Sequence, residues 1–160
     1  MRYGITGHMD LTPNTVALVD RVIRDVMSAV PAAELIGVSC LAAGADTLFA
    51  RAVLDLGGAL HVVLPSQDYQ ARKVKPDQRP EFDELVRHAL RVHTMPYDTA
   101  GPEAYEAANE TVLASIDRLI AVWDGRWPVA RGGTAAVVQE AGRRGIPVEI
   151  VWPDGARRAG

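Results

Sequence analysis

Short apolar runs alternate along the chain with longer segments in which apolar residues recur every three or four positions. The short runs, such as HVVLP and LIAVW, are nearly continuous, as expected for strands buried on both faces of a parallel sheet. Helical spacing is clearest after Thr12 and Pro13, which predict an N-cap and a first helical residue. The order of the segments predicts an α/β fold: a three-layer Rossmann-like domain with a mostly parallel central sheet flanked by helices.

The pattern gives the following boundaries within one predicted domain spanning residues 1–160. Strands are predicted at 2–6, 34–39, 60–64, 92–95, 118–123 and 146–151. Helices are predicted at 13–30, 45–56, 80–90, 102–115 and 132–144. Residues 66–79 are polar and lack a period, so they are predicted to form an irregular loop, and the chain is predicted to fray from about residue 153.

Composition narrows the class of protein. The chain has 160 residues, of which 48% are hydrophobic, and a formal net charge of −3, which argues against a nucleic-acid partner. No apolar run approaches the ~20 residues of a membrane-spanning helix, and the start lacks an apolar signal region. The single cysteine, Cys40, excludes an internal disulfide. We therefore expect a cytoplasmic protein without a membrane partner, whose apolar helix surfaces allow a homo-oligomer.

Several loops at one edge of the predicted sheet are rich in glycine and polar residues. Ligands of open parallel sheets bind beyond the carboxyl ends of the strands, where the strand order reverses. We expect a ligand site to be formed there by Thr6, Gly7, His8, Gly44, Ala45, Asp46, Pro65, Asp124, Gly125, Gly132, Gly133 and Thr134.

The Gly132-Gly133-Thr134 segment opens the last predicted helix. Unpaired N–H groups of the first turn, together with the helix dipole, form an anion site, and Thr134 adds a hydroxyl donor. Alternatively, the glycines only form a tight turn and Thr134 caps the helix. Gly4 and Gly7 do not have the G-x-G-x-x-G spacing, so an ordinary NAD or FAD fingerprint is a poor fit.

Four further side chains have both a structural and a functional interpretation. His8 can bind phosphate, act as an acid or base, or hold a neighbouring loop. Asp46 either stabilises a helix N-terminus or binds a ribose hydroxyl or a base, and we favour the first. Arg79, in a basic segment, is a candidate to close over phosphate, whereas Asn109 fits a buried hydrogen bond better than catalysis. No metal site is predicted, because ligand spacing is absent around His8, His61, His88 and His93.

Three segments together resemble the SLOG superfamily, the Rossmann-like group that contains the DNA-processing protein A fold and the LOG, or "lysine decarboxylase-like", phosphoribohydrolases. These segments are ITGHMDL, SCLAAGADTLFARAVLDLGGALHVVLP and LIAVWDGRWPVARGGTAAVV, and they span nearly the whole chain. The resemblance implies a nucleotide or nucleotide-derived ligand held between the loop after the first strand and the Gly-Gly-Thr helix. Members of this superfamily are enzymes in some branches and sensors in others.

The resemblance also weighs against the simplest enzyme. LOG enzymes carry PGGxGTxxE, whose glutamate takes part in cleaving the N-glycosidic bond, whereas this chain reads ARGGTAAVVQE. Val137 stands three residues after Thr134, and Glu140 follows nearly two turns down the helix. We therefore expect a sensor or binding module for a phosphate-bearing nucleotide. The alternatives are a nucleoside 5′-monophosphate phosphoribohydrolase, with Asp124 and Glu140 as catalytic candidates, and single-stranded DNA binding.

Overall fold

The computed structural model describes residues 1–127 and 133–160. Within these ranges, six strands form one parallel sheet in the order β4-β3-β2-β1-β5-β6. The strands are β1 (Arg2–Gly7), β2 (Ile36–Ser39), β3 (Ala59–Leu64), β4 (Arg91–Thr94), β5 (Arg118–Val122) and β6 (Val148–Val151). The helices are α1 (Pro13–Ser28), α2 (Ala45–Asp55), α3 (Tyr69–Lys73), α4 (Arg79–His88), α5 (Pro102–Ala114) and α6 (Thr134–Arg143).

Helices cover both faces of the sheet. On one face, Val62 and Ile120 belong to the main core, which contains the buried sides of α1, α2 and α4. On the other face, Val63 packs with α5, and Leu119 packs with α6. Successive residues of a strand point to opposite faces, so these central strands must be apolar at consecutive positions. The predicted three-layer α/β fold is confirmed.

The start of α1 follows the predicted capping pattern. Thr12 has an extended backbone, and its Oγ1 accepts a hydrogen bond from the Thr15 N–H at 3.3 Å. Pro13 occupies the first helical position, where its missing N–H leaves no hydrogen bond unmade. Val19, Ile23 and Met27 follow at four-residue intervals and are fully buried. The N-terminal cap and the buried apolar positions of α1 are therefore those that the sequence predicted.

The segment predicted as an irregular loop, 66–79, contains α3 and a short 3-10 turn, Pro76–Gln78. Tyr69 and Val74 anchor it, because both side chains are buried in the main core. A helix of little more than one turn is too short for its apolar spacing to be recognised in a sequence. The prediction of a loop without secondary structure is therefore corrected.

The end of the chain differs from the predicted frayed tail. Arg158 forms an antiparallel bridge with Leu11, and the Ala159 N–H donates to the Asp10 carbonyl at 2.6 Å. The Arg157 N–H donates to Thr15 Oγ1 at 2.7 Å. These bonds hold the tail along the loop after β1. No helix among the described residues is long and apolar enough to cross a membrane.

Candidate functional site

A cleft of about 590 Å³ opens at the carboxyl ends of β1 and β5. The two strands are neighbours, but the chain leaves β1 towards α1 on one face and β5 towards α6 on the other. Parallel sheets form ligand crevices at such reversals of strand order. The predicted site residues that line this cleft are Thr6, Gly7, His8, Asp46, Pro65, Asn109, Gly133 and Thr134.

The remaining predicted residues lie elsewhere. Gly44, Asp124 and Gly125 in the surrounding loops, and Ala45 at the start of α2, do not line the cleft. Gly132 falls outside the described residues. Arg79 does not line the cleft either, because its guanidinium donates to the carbonyl groups of Ala71 and Val74 and ties α3 to α4. Lys73 of the same basic segment lines the cleft instead.

Two of the loop glycines are required by packing within the protein. A Cβ at Gly7 would lie 2.4 Å from the Cβ of Ala45, at the start of α2. Gly44 has φ +77°, and a Cβ there would lie 2.6 Å from the His8 carbonyl oxygen. The Ala45 N–H donates to the same carbonyl at 3.2 Å. These glycines let α2 begin directly against the loop after β1, and so they shape the cleft wall.

His8 joins the loops that follow β1 and β5. The backbone N–H of Asp124 donates to Nε2 of His8 at 3.1 Å, which requires that nitrogen to be unprotonated. The Asp124 carboxylate lies 3.3 Å from the same nitrogen. Burial lowers the pKa of His8, with a smaller contribution from Arg158, and these effects outweigh the opposing effect of Asp124. Near neutral pH the ring is therefore uncharged, and its Nδ1 carries the proton.

This assignment predicts how His8 titrates. We expect the pKa of His8 to lie below 6.5, and to fall further in Asp124→Asn, because that change removes the nearby charge that favours the imidazolium. The pH dependence of the histidine ring signals in NMR spectra measures both values. A His8 pKa at or above 6.5 in the unmodified protein would contradict the assignment.

Asp46 lies on the floor of the cleft, in the first turn of α2. Its Oδ2 accepts a hydrogen bond from the Ala42 N–H at 3.3 Å, and Ser39 Oγ donates to its backbone carbonyl at 3.2 Å. Burial raises the pKa of Asp46 to about 7, against the smaller opposing effect of the Ala42 hydrogen bond. Cys40 and Tyr69 line the same cleft, and burial also raises the pKa of each. Asp46 therefore shares the cleft with a buried thiol and a buried phenol that are uncharged near neutral pH.

The cleft also carries positive charge. Among the described residues, the cationic side chains that line it are Lys73, Arg126 and Arg158. Arg158 Nε donates to the Asp10 carboxylate at 2.9 Å. The sequence did not predict Arg126 or Arg158 as site residues. Arg126 lies in the loop after a strand, and Arg158 belongs to the tail predicted to fray.

The N-terminus of α6 opens into the same cleft. Gly133 precedes the helix with an extended backbone, and its position provides no side-chain cap for the first N–H groups. Thr134 and Ala135, the first two helical residues, line the cleft. Trp123 lines it beside them, and its ring packs edge-on against Trp127 with 5.2 Å between centroids.

Comparison with known proteins gives a fold assignment. No protein-family model matches the sequence, and no curated protein sequence matches it. The structure aligns with DNA processing protein A from Streptococcus pneumoniae with a TM-score of 0.69 and 18% identity, covering 96% of this chain and 51% of that one. It aligns with the molybdenum cofactor binding protein from Rippkaea orientalis with a TM-score of 0.61 and 15% identity, covering 96% and 77%.

A third similar structure is the molybdenum cofactor carrier protein from Chlamydomonas reinhardtii, with a TM-score of 0.57 and 19% identity, covering 94% of this chain and 75% of that one. The chain has the Rossmann-like fold of these three structures. This confirms the fold that the resemblance in the sequence implied. The chain spans about half the length of the DNA processing protein A structure.

Neither catalytic candidate from the sequence lines the cleft. Glu140 lies in the second half of α6, where it accepts hydrogen bonds from Arg143 and Arg144. These arginines lower the pKa of Glu140 to about 2, so it is a poor proton donor near neutral pH. Asp124 faces His8 at the edge of the cleft. In the described ranges, no three histidine, cysteine, aspartate or glutamate side chains gather to hold a metal ion.

Proposed function

We propose that this cleft binds a phosphate-bearing nucleotide or nucleotide-derived ligand, and that the protein acts as a sensor or binding module. The observation that carries the proposal is the convergence of the α6 N-terminus and three cationic side chains, among those described, on one cleft at the reversal of strand order. Each feature is common in isolation, whereas together they provide a place for an anionic group.

The cationic end of the cleft suits a phosphate. The first N–H groups of α6 have no intrahelical acceptor, and the helix dipole places partial positive charge at Thr134 and Ala135. Arg126 and Lys73 add full positive charges on exposed, flexible side chains. Asp10 also lines the cleft and pairs with Arg158, so these two side chains together add little net charge.

The rest of the cleft suits a nucleoside. Its volume of about 590 Å³ lies in the range of small-molecule sites, roughly 300–1,000 Å³. Tyr69, Tyr105 and Trp123 provide aromatic surface against which a heterocycle can pack. Two proteins of the same fold are named for the binding or carriage of a cofactor, which supports a binding role.

A thermal-shift experiment tests the proposal. We expect GMP, AMP or ribose 5-phosphate to raise the melting temperature, since a ligand at 100 times its Kd adds about 2.7 kcal/mol, or roughly 5–10 °C for a chain of this size. Arg126→Ala and Arg158→Ala should each weaken binding about tenfold, because each removes a charge-assisted phosphate contact.

Arg143→Ala is the matched control, because Arg143 is an exposed arginine at the far end of α6, where it pairs with Glu140. That variant should bind the same ligands with unchanged affinity. The absence of any shift with phosphate-bearing compounds, or equal shifts with the nucleosides that lack phosphate, would refute the proposal. Chromatography of the same mixtures reports on turnover: release of free base would replace the binding role with phosphoribohydrolase activity.

A further inference from the structure

We propose that the Asp46 carboxylate recognises the base of the ligand, by accepting hydrogen bonds from a heterocycle that presents a ring N–H beside an exocyclic amino group, as guanine does. The inference rests on the proposed function, because it assigns the opposite end of the same cleft. It concerns which base binds, whereas the proposed function concerns the phosphate.

The geometry leaves one carboxylate oxygen of Asp46 facing the cleft. The side chain lines the cleft but is only 7% exposed, and its Oδ2 is held by the Ala42 N–H. The other oxygen, Oδ1, has no hydrogen-bond donor among the described residues. Among the residues that the structure describes, every fully buried side-chain nitrogen or oxygen has a hydrogen-bond partner. Oδ1 is therefore the oxygen that remains accessible, and the cleft is where a donor can reach it.

The surroundings of Asp46 favour a base over a sugar. Pro65, Tyr69 and Ala108 line the cleft with buried, mostly apolar surface. The faces of a planar heterocycle pack well against such walls, whereas each ribose hydroxyl placed there would need its own hydrogen-bond partner. A heterocycle also carries its donors on one edge, where a fixed carboxylate can meet them.

An ionised carboxylate discriminates between bases because it only accepts hydrogen bonds. Guanine offers a ring N–H and an amino group side by side, and hypoxanthine offers the ring N–H alone. Adenine offers an amino group beside an acceptor nitrogen, whose lone pair faces that of the carboxylate. A buried hydrogen bond to a charged group changes affinity by about 10- to 100-fold, so the expected order is GMP, then IMP, then AMP.

The preference for GMP over AMP should increase with pH. Donors on the base bind the ionised form of Asp46, whose pKa in the free protein is about 7. Selectivity for GMP should therefore increase as pH rises through 7 and level off above it. The other titratable side chains lining the cleft are His8, Asp10, Cys40, Tyr69, Lys73, Tyr105, Arg126 and Arg158. Burial lowers the pKa of His8, which keeps its ring largely uncharged in this range. Burial raises the pKa of the thiol and of both phenols, so these three stay neutral in this range.

Calorimetric titration of GMP, IMP, AMP and ribose 5-phosphate at pH 6 and pH 8 tests the inference. At pH 8 we expect the unmodified protein to bind GMP at least about tenfold more tightly than AMP. Asp46→Asn should lose that preference yet bind ribose 5-phosphate unchanged. Asp55→Asn is the matched control, since Asp55 ends the same helix and pairs with Arg24 at the surface. Dividing each Kd by that of ribose 5-phosphate removes the titration of the phosphate itself.

The two proposals fail differently. If the phosphate compounds bind but GMP and AMP bind equally, or Asp46→Asn keeps the preference, the base assignment is wrong and the proposed function stands. A preference for AMP that grows at low pH would likewise overturn it, because a protonated carboxyl would then be the recognising group. If ribose 5-phosphate and all three nucleotides fail to bind, both proposals are wrong. The selectivity of the unmodified protein for GMP over AMP at pH 6 and pH 8 tests the base assignment even if Asp46→Asn does not fold.

Discussion

Asp46→Asn is expected to stabilise the ligand-free protein by roughly 2 kcal/mol at pH 8. A pKa raised from 3.8 to about 7 means that the folded protein holds this carboxylate at an unfavourable free energy once it is ionised. The displacement corresponds to roughly 4 kcal/mol at 1.36 kcal/mol per unit. The asparagine amide has nearly the same shape and removes that penalty, but its NH₂ group needs partners of its own, which offsets about half of the gain.

The sign of the pH dependence follows from the direction of the pKa shift. Between about pH 4 and pH 7 the folded protein holds the proton on Asp46 while the unfolded chain releases it, so the stability of the unmodified protein falls as pH rises through that range. Above pH 7 both states are ionised and this contribution becomes constant. Asp46→Asn lacks this component, so the stability difference between the two proteins should be small near pH 4 and largest above pH 7.

Urea denaturation of both proteins at several pH values between 4 and 8 measures this difference. Asp55→Asn again serves as the control, because it removes an exposed carboxylate from the same helix, and we expect its stability to stay within about 0.5 kcal/mol of the original. A lower stability of Asp46→Asn at pH 8, or a difference that does not change with pH, would mean that Asp46 is not held in the unfavourable environment described above.

The stabilisation and the loss of base recognition would have one cause. A carboxylate that the folded protein holds away from water, with one oxygen facing a cleft, is unfavourable in the empty protein and is compensated only when a ligand donor arrives. A merely structural carboxylate would have its acceptors filled by the protein itself. A residue that lowers the stability of the folded protein in this way is expected where its type is retained for ligand binding and not for folding.

The architecture could be predicted because it depends on burial. Central strands such as β3 and β5 are apolar at consecutive positions, since helices cover both faces of the sheet, and that pattern is visible in a sequence. The short α3 and the docked tail could not be predicted. The helix is too short to show a period, and the tail is held mainly by backbone hydrogen bonds that any residue can make.

The candidate site was predicted in outline and not in its chemistry. Glycines marked loops that border the cleft, but the tight contacts at Gly7 and Gly44 are with α2 and the loop after β1, so the glycine signal also reflects packing. Asp46 at a helix start is ambiguous in a sequence, because the sequence does not show that it shares a cleft with residues such as Tyr69 that lie far along the chain. Arg158 reaches the cleft only because the tail folds back.

Gly44→Ala is expected to lower the free energy of unfolding by roughly 3 kcal/mol, the largest loss we expect from a single methyl group in this protein. Gly44 has φ +77° and ψ −123°, a combination that side chains strongly disfavour. The added Cβ would also lie 2.6 Å from the His8 carbonyl oxygen and 2.8 Å from Met9 Cα, so α2 and the loop after β1 would have to separate. Because both form the cleft, ligand affinity should fall as well.

Two other glycines separate these causes. Gly145 has φ +73° and nothing within 4 Å of an added Cβ, so Gly145→Ala reports the backbone strain alone, about 1 kcal/mol. Gly7→Ala reports the steric cause alone, roughly 2 kcal/mol, because φ at Gly7 is not positive although its Cβ would lie 2.4 Å from Ala45. Urea denaturation ranks the three variants. If Gly44→Ala is no less stable than Gly145→Ala, the start of α2 does not pack against the His8 loop as closely as the cleft requires.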